Sequence, residues 1–120
     1  RDTSFANATG LDASTHWSTP EDLSWLAMHV LKNPILRTRM SMRGARIVSR
    51  DGGTIYLTHT HALMHANTGV IAGKTGTTGA ARECLFSVVE KKGRQYGVVL
   101  LHSLDRYTDM RKILTALDML

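Results

Sequence analysis

Gly69-Val70-Ile71-Ala72-Gly73-Lys74-Thr75-Gly76-Thr77-Thr78-Gly79 admits two architectures. Read as a phosphate loop, it joins a strand to a helix in a parallel α/β sheet. Read as a strand carrying Lys-Thr-Gly, it forms one wall of a cleft in an antiparallel sheet. The spacing chooses between them. A Walker loop places four residues between its first glycine and Gly-Lys-Ser/Thr, so that successive amides wrap the phosphates, and here only Val70, Ile71 and Ala72 lie between Gly69 and Gly73. The residues that follow lead into a second β-favouring run and not into a helix whose N-terminus could hold an anion.

Working outward, three β-rich runs follow one another: Val70 to Gly76, Glu83 to Glu90 and Gln95 to Ser103, separated by Gly79-Ala80-Ala81 and Lys91-Lys92-Gly93-Arg94. Connections this short predict an antiparallel meander. The run Gly97-Val98-Val99-Leu100-Leu101 is continuously apolar and predicts a strand buried on both faces. From Asp105 to Leu120, Tyr107, Met110, Ile113, Leu114, Leu117 and Leu120 recur at helical spacing, so a C-terminal helix should cover one face. Upstream, Ala45 to Thr58 reads as a small hairpin around Asp51-Gly52-Gly53. Earlier still, Thr19 caps a helix with Pro20 in its first turn, and Leu23, Leu26, Ala27, Val30 and Leu31 form its apolar stripe. Asn33-Pro34 ends it after Lys32.

The 120 residues exclude two independent catalytic domains, and 42% hydrophobic with 21% charged residues is a globular mix with no 18-residue apolar run. No membrane anchor is visible in this chain. One cysteine, Cys84, excludes an internal disulfide and a multi-cysteine zinc site, and its neighbours Leu85 and Phe86 mark it as a small strand residue. The formal charge of +5 favours anionic partners. Nucleic acid is not expected among them, because Arg37, Arg39, Arg43 and Arg46 lack interleaved aromatic residues for stacking.

On a cleft-lining strand each residue of the central motif has a task. Lys74 supplies positive potential, Thr75 offers a hydroxyl to a substrate carboxylate, and Gly76 removes a side chain so that substrate can approach the backbone. The Thr77 amide, aimed outward, is an oxyanion donor of the kind worth about 3 kcal/mol in a transition state.

Beyond that motif, ordered segments run through most of the chain: Phe5-x-Asn7-x-x-Gly10-Leu11-Asp12, Ser18-Thr19-Pro20-x-Asp22-Leu23, Gly69-Val70-x-x-Gly73-Lys74-Thr75-Gly76-Thr77-Thr78-x-Ala80, Cys84-Leu85, Gly93-Arg94, Val98-Val99-Leu100 and Arg106-x-x-Asp109. In these segments the chain resembles the C-terminal half of a penicillin-interacting serine D-alanyl-D-alanine carboxypeptidase. The resemblance implies an α+β, penicillin-binding/β-lactamase-like fold, an antiparallel sheet flanked by helices with the site between a helical part and the Lys-Thr-Gly edge. It also implies an acyl-enzyme peptidase without a cofactor, in the periplasm or cell envelope, acting on peptidoglycan stem peptides and trapped by β-lactam antibiotics. Lys74 and Thr77 would be catalytic, and Thr75, Gly76 and Thr78 would bind substrate.

The family's Ser-x-x-Lys and Ser-x-Asn boxes do not occur between Arg1 and Leu120: no serine has lysine three residues on, and none of Asn7, Asn33 and Asn67 has serine two residues before it. In family order both boxes precede the Phe5 segment. The expectation is therefore a C-terminal portion of one catalytic domain, inactive alone and needing the N-terminal half or a second chain to complete its sheet. A non-catalytic binding module with the same fold is the alternative. A class A β-lactamase-like hydrolase is another, although Glu21, Glu83 and Glu90 sit in no Glu-x-x-Leu-Asn pattern.

His59-x-His61-x-x-x-His65 could suggest a metal, but no carboxylate or thiol lies near in sequence. The expected reading is polar loop residues ahead of Leu63, with no metal. The resemblance places a basic side chain about fifteen residues before the lysine in some family members, to meet the substrate carboxylate, and His59 takes that position.

Overall fold

The computed structural model describes residues 2–120. In chain order the elements are α1 (Pro20–Val30), α2 (Pro34–Ser41), β1 (Gly44–Val48), β2 (Thr54–Thr58), the 3-10 turn η1 (Ala62–His65), β3 (Val70–Thr78), β4 (Arg82–Lys91), β5 (Arg94–Ser103) and α3 (Arg106–Asp118). The three long strands pair antiparallel in the order β3-β4-β5, and β1 with β2 forms a separate hairpin. This is the α+β arrangement of an antiparallel sheet flanked by helices.

Local chemistry accounts for most element ends. Thr19 keeps an extended backbone and its Oγ1 accepts from Asp22 N at 3.1 Å, satisfying one free amide at the start of α1. The Asp22 carboxylate ties down the preceding segment, accepting from Asp2 N at 2.8 Å and Thr3 Oγ1 at 2.6 Å. The helix stops at Val30, two residues before the expected Lys32. Asn33-Pro34 does more than end it. Asn33 Oδ1 accepts from Ile35 N and Leu36 N at 3.0 and 3.2 Å and Pro34 occupies the first turn, so the pair starts α2, which was not expected. A proline that cannot continue one helix is preorganised to begin the next.

The core lies between α3, η1 and one face of the sheet. Leu63 and Met64 of η1, Val70, Leu85 and Val89 of the strands, and Met110 and Leu114 of α3 form one buried cluster, with Tyr96, Val98, Leu100, Tyr107 and Leu117 packed around it. Each such side chain contributes about 1.5–3 kcal/mol by leaving water. On the opposite face α1 packs against β5 and α2 against β3.

One expectation is corrected in part. Gly97 to Leu101 is covered on both faces, by the α3 side of the core and by α1, but it is not fully buried, because β5 pairs with β4 alone among the described residues and its other edge is open. Val98 to Leu101 are half-buried and Gly97 is exposed. The strand buried on both faces is β4, where Leu85, Ser87, Val88 and Val89 are all enclosed. An apolar run reports that both faces meet apolar neighbours, but not the strand's place in the sheet order.

Candidate active site

Among the described residues β3 borders only β4, so its other edge is free. Gly76 stands opposite Cys84, Thr75 opposite Leu85 and Thr77 opposite Glu83. In an antiparallel ladder the backbone groups of alternate residues point to opposite sides. Arg106 Nη1, which also donates to Cys84 O of β4, donates to Gly76 O, marking that carbonyl as directed toward β4. Thr75 and Thr77 therefore present their N–H and C=O groups to the free edge, and Lys74 Nζ reaches round to the Thr75 carbonyl there. The Lys74, Gly76 and Thr77 positions are exposed and Thr75 is half-buried. Lys74, Thr75, Gly76 and Thr77 thus share one accessible strand edge.

The two glycines of this strand differ. At Gly73 a Cβ would come within 2.5 Å of both His61 Cδ2 and Phe86 O, so packing demands glycine. At Gly76 a Cβ would meet only Cys84 Cβ, at 3.9 Å, so the fold itself has room for a side chain.

Beside Thr75 lies the segment that carries His59. Thr60 Oγ1 and Thr75 Oγ1 share a hydrogen bond of 2.6 Å. The segment is stapled on either side of His61 by the Tyr107 hydroxyl, which donates to Thr60 O at 2.9 Å and accepts from Ala62 N at 3.0 Å. His59 Nδ1 accepts from His61 N at 3.0 Å, and His65 Nε2 bonds His59 O at 2.9 Å.

His61 is a loop residue ahead of Leu63, and it is fully buried under Gly73, with Nε2 2.7 Å from Ser87 Oγ. Burial, then the neighbouring His59 and Arg106, pushes its pKa down to about 4, so the ring is neutral at pH 7. The three histidines do not converge on a point, and among the described residues no three His, Cys, Asp or Glu side chains form a ligand set.

Thr78, at the end of β3, is tied into the fold. Its hydroxyl donates to Asp12 Oδ1 and accepts from Ala81 N at 3.0 Å, while Asp12 Oδ2 accepts from Ala80 N at 3.0 Å. Thr78 and Ala80 hold the Asp12 carboxyl below the usual carboxylate range. The Asn7 to Asp12 turn is thereby fastened to the far end of β3. Asn7 Oδ1 organises that turn by accepting from Gly10 N at 2.8 Å and Leu11 N at 3.2 Å.

With this geometry in hand, the sequence model of one family, described as D-alanyl-D-alanine carboxypeptidase, matches residues 1–104. The chain belongs to the D-alanyl-D-alanine carboxypeptidase family. Over 101 residues it is 29% identical to D-alanyl-D-alanine carboxypeptidase DacF of Bacillus subtilis (strain 168), a match covering 84% of this chain and 26% of that protein. A serine-to-alanine mutant of the Streptomyces K15 DD-transpeptidase superposes with a TM-score of 0.86 at 26% identity, over 96% of this chain and 47% of that one. The D-alanyl-D-alanine carboxypeptidase from Mycobacterium tuberculosis H37Rv gives 0.70 at 26% identity, over 82% and 38%. The chain thus spans about a quarter of the curated relative and under half of each of these structures.

Several residues of this family member that shape the edge went unassigned from sequence: Asp12, Thr60, His61, Ser87, Arg106 and Tyr107. Asp12 and Arg106 lay within the ordered segments, which was their only signal. Thr60 and His61 were visible as part of a polar stretch, but nothing local shows that one meets Thr75 and the other is buried.

Proposed function

We propose that this chain is the substrate-binding wall of a serine peptidase that removes the terminal D-alanine from peptidoglycan stem peptides. On this reading it is the C-terminal portion of one catalytic domain, and the nucleophilic serine with its activating lysine comes from outside these 120 residues. The observation that carries the reading is the free β3 edge, where Lys74, Thr75, Gly76 and Thr77 lie together in a chain of this family.

The reaction is an acyl transfer. A serine oxygen attacks the carbonyl of the penultimate D-alanine, the tetrahedral intermediate expels the terminal D-alanine, and water hydrolyses the acyl-enzyme. Lys74 supplies positive potential to the cleft. Thr75, held by Thr60, turns its hydroxyl to the substrate's terminal carboxylate, and His59 adds a polar ring beside it. Gly76 stays bare to let the peptide lie along the strand, which is why glycine stands where the fold has room for more. The Thr77 N–H donates to the developing oxyanion. Thr78 contributes by locking the strand end to Asp12. Carboxylate-ended peptides on an acidic wall also suit a chain of charge +5. The site of action is the cell wall, outside the cytoplasm, with β-lactams as acylating inhibitors. Among the described residues no helix is long and apolar enough to cross a membrane.

The test is covalent labelling. Full-length protein incubated with a fluorescent penicillin should carry one adduct per molecule, and residues 1–120 alone should carry none. Full-length protein that takes up no label overturns the reading, and stoichiometric labelling of the 120 residues overturns the assignment of the nucleophile to another segment.

A further inference from the structure

Arg106 opens α3, yet its side chain turns back onto the sheet. Nη1 donates to Gly76 O at 2.9 Å and to Cys84 O at 3.1 Å. Nε lies 3.7 Å from Glu83 Oε2, and that same oxygen accepts from Arg106 N at 3.0 Å. The guanidinium carbon stands 5.5 Å from the centre of the Tyr107 ring, and the side chain is only 14% exposed. The charge is therefore shielded from water, and among the described residues Nε has no hydrogen-bond partner.

The carbonyl that Arg106 holds is one end of a peptide unit whose other end is the Thr77 N–H. With no cis peptide among the described residues, the two dipole ends point in opposite directions. A carbonyl fixed toward Arg106 and β4 sets the Thr77 N–H toward the free edge. A cation on the oxygen also withdraws electron density through the amide, making the N–H a stronger donor, as hydrogen bonds in a chain reinforce one another. A neutral donor in the same place would orient the peptide with far less polarisation.

We infer that Arg106 is a positioning residue for the oxyanion site: it fixes and polarises the Gly76–Thr77 peptide so that the Thr77 N–H is aimed at the cleft and donates strongly. The inference rests on the Thr77 amide being the oxyanion donor. Arg106 touches no reacting atom, so its effect belongs to the acylation step and not to substrate capture.

The experiment is stopped-flow acylation of the full-length protein by a fluorescent penicillin, resolving the non-covalent Kd from the acylation rate constant. Arg106→Ala should slow acylation about ten- to a hundredfold, less than the roughly 10²–10³-fold loss of an entire oxyanion donor, with Kd little changed. Arg106→Gln keeps a donor but no charge and should stay slow, whereas Arg106→Lys should recover part of the rate. With glycine carbonyls labelled with ¹³C, the Gly76 resonance should move upfield in Arg106→Ala and Arg106→Gln. A role in mere stability would lower Tm and leave the ratio of rate to Kd in the folded fraction untouched. If Arg106→Ala does not fold, the Gln and Lys variants decide. Equal acylation by Gln and Lys, or a Gly76 resonance that does not move in the Gln variant, overturns the inference. Thr77→Pro separates the two levels, because it deletes the N–H. A Thr77→Pro protein that acylates at the parent rate removes the oxyanion reading itself, while a slow Thr77→Pro beside a fast Arg106→Gln removes only the role of Arg106.

Discussion

The β1–β2 hairpin and the β3–β4–β5 sheet are built from similar β-favouring sequence, and they are buried very differently. Ile47 pairs with Ile55 across the hairpin, and these side chains remain 46% and 51% exposed. Val70 pairs with Val89 across β3 and β4, and these are 1% and 0% exposed. Ladder hydrogen bonds and a glycine-containing turn are enough to pair two strands, with Ser49 N bonded to Gly53 O at 2.8 Å and Gly52 at a φ of +85°. Burial needs a further layer, which η1 and α3 supply to the sheet. The same layer holds the Thr60 segment against Thr75, so the packed region is also the one that carries the candidate site.

Four measurements sharpen or break this contrast. The largest effect should come from Met110→Ala, which opens a cavity at the contact of α3 with the sheet and should cost about 4 kcal/mol in urea unfolding. A cost near zero would mean that α3 is not the layer that makes the core. Next, the pH dependence of stability should carry the signature of His61. The unfolded ring binds a proton near its ordinary pKa of 6.5, whereas the folded ring stays neutral down to about 4. Its contribution is therefore fully present above pH 6.5 and is lost as the pH falls toward 4, about 3 kcal/mol in all. His61→Gln should flatten that part of the profile, and parallel profiles for the two proteins would contradict the buried neutral ring.

The third effect is smaller. Gly73→Ala should destabilise by about 2 kcal/mol, through overpacking against His61 and Phe86, and Gly76→Ala should lower stability less while impairing penicillin acylation. A reversed order would exchange the roles given to the two glycines. The smallest effect belongs to the hairpin. Tyr56 is 77% exposed, and Tyr56→Ser should change stability by no more than about 0.5 kcal/mol. A loss of 2 kcal/mol or more would show that the hairpin face is covered in the working protein.

Much of this was legible along the chain. Thr19-Pro20, the Gly52-Gly53 turn, the three long strands and the apolar stripe of α3 all follow from interactions among residues a few positions apart, which sequence pattern reports directly. Pro34 was legible as a stop and not as a start, because a proline carries both meanings and only the Asn33 side chain decides between them. The short connections placed β4 between β3 and β5, and the resemblance put Lys-Thr-Gly at a sheet edge. That Leu85, Ser87, Val88 and Val89 make β4 the most enclosed strand was not legible, since hydrophobic periodicity does not report how closely each face is covered.

By itself, then, the sequence determined the strand and helix segments, the Lys74-Thr75-Gly76 motif with Thr77 after it, and the kinship that the ordered segments carry. Tertiary structure alone decided that His61 lies beneath Gly73 against Ser87, 26 positions away, that Thr60 meets Thr75 across 15, and that Arg106 reaches Gly76 across 30. The physical reason is range. Capping, turn preference and periodicity act within a few residues, whereas the burial of a ring or the polarisation of a distant peptide exists only once the chain has closed on itself.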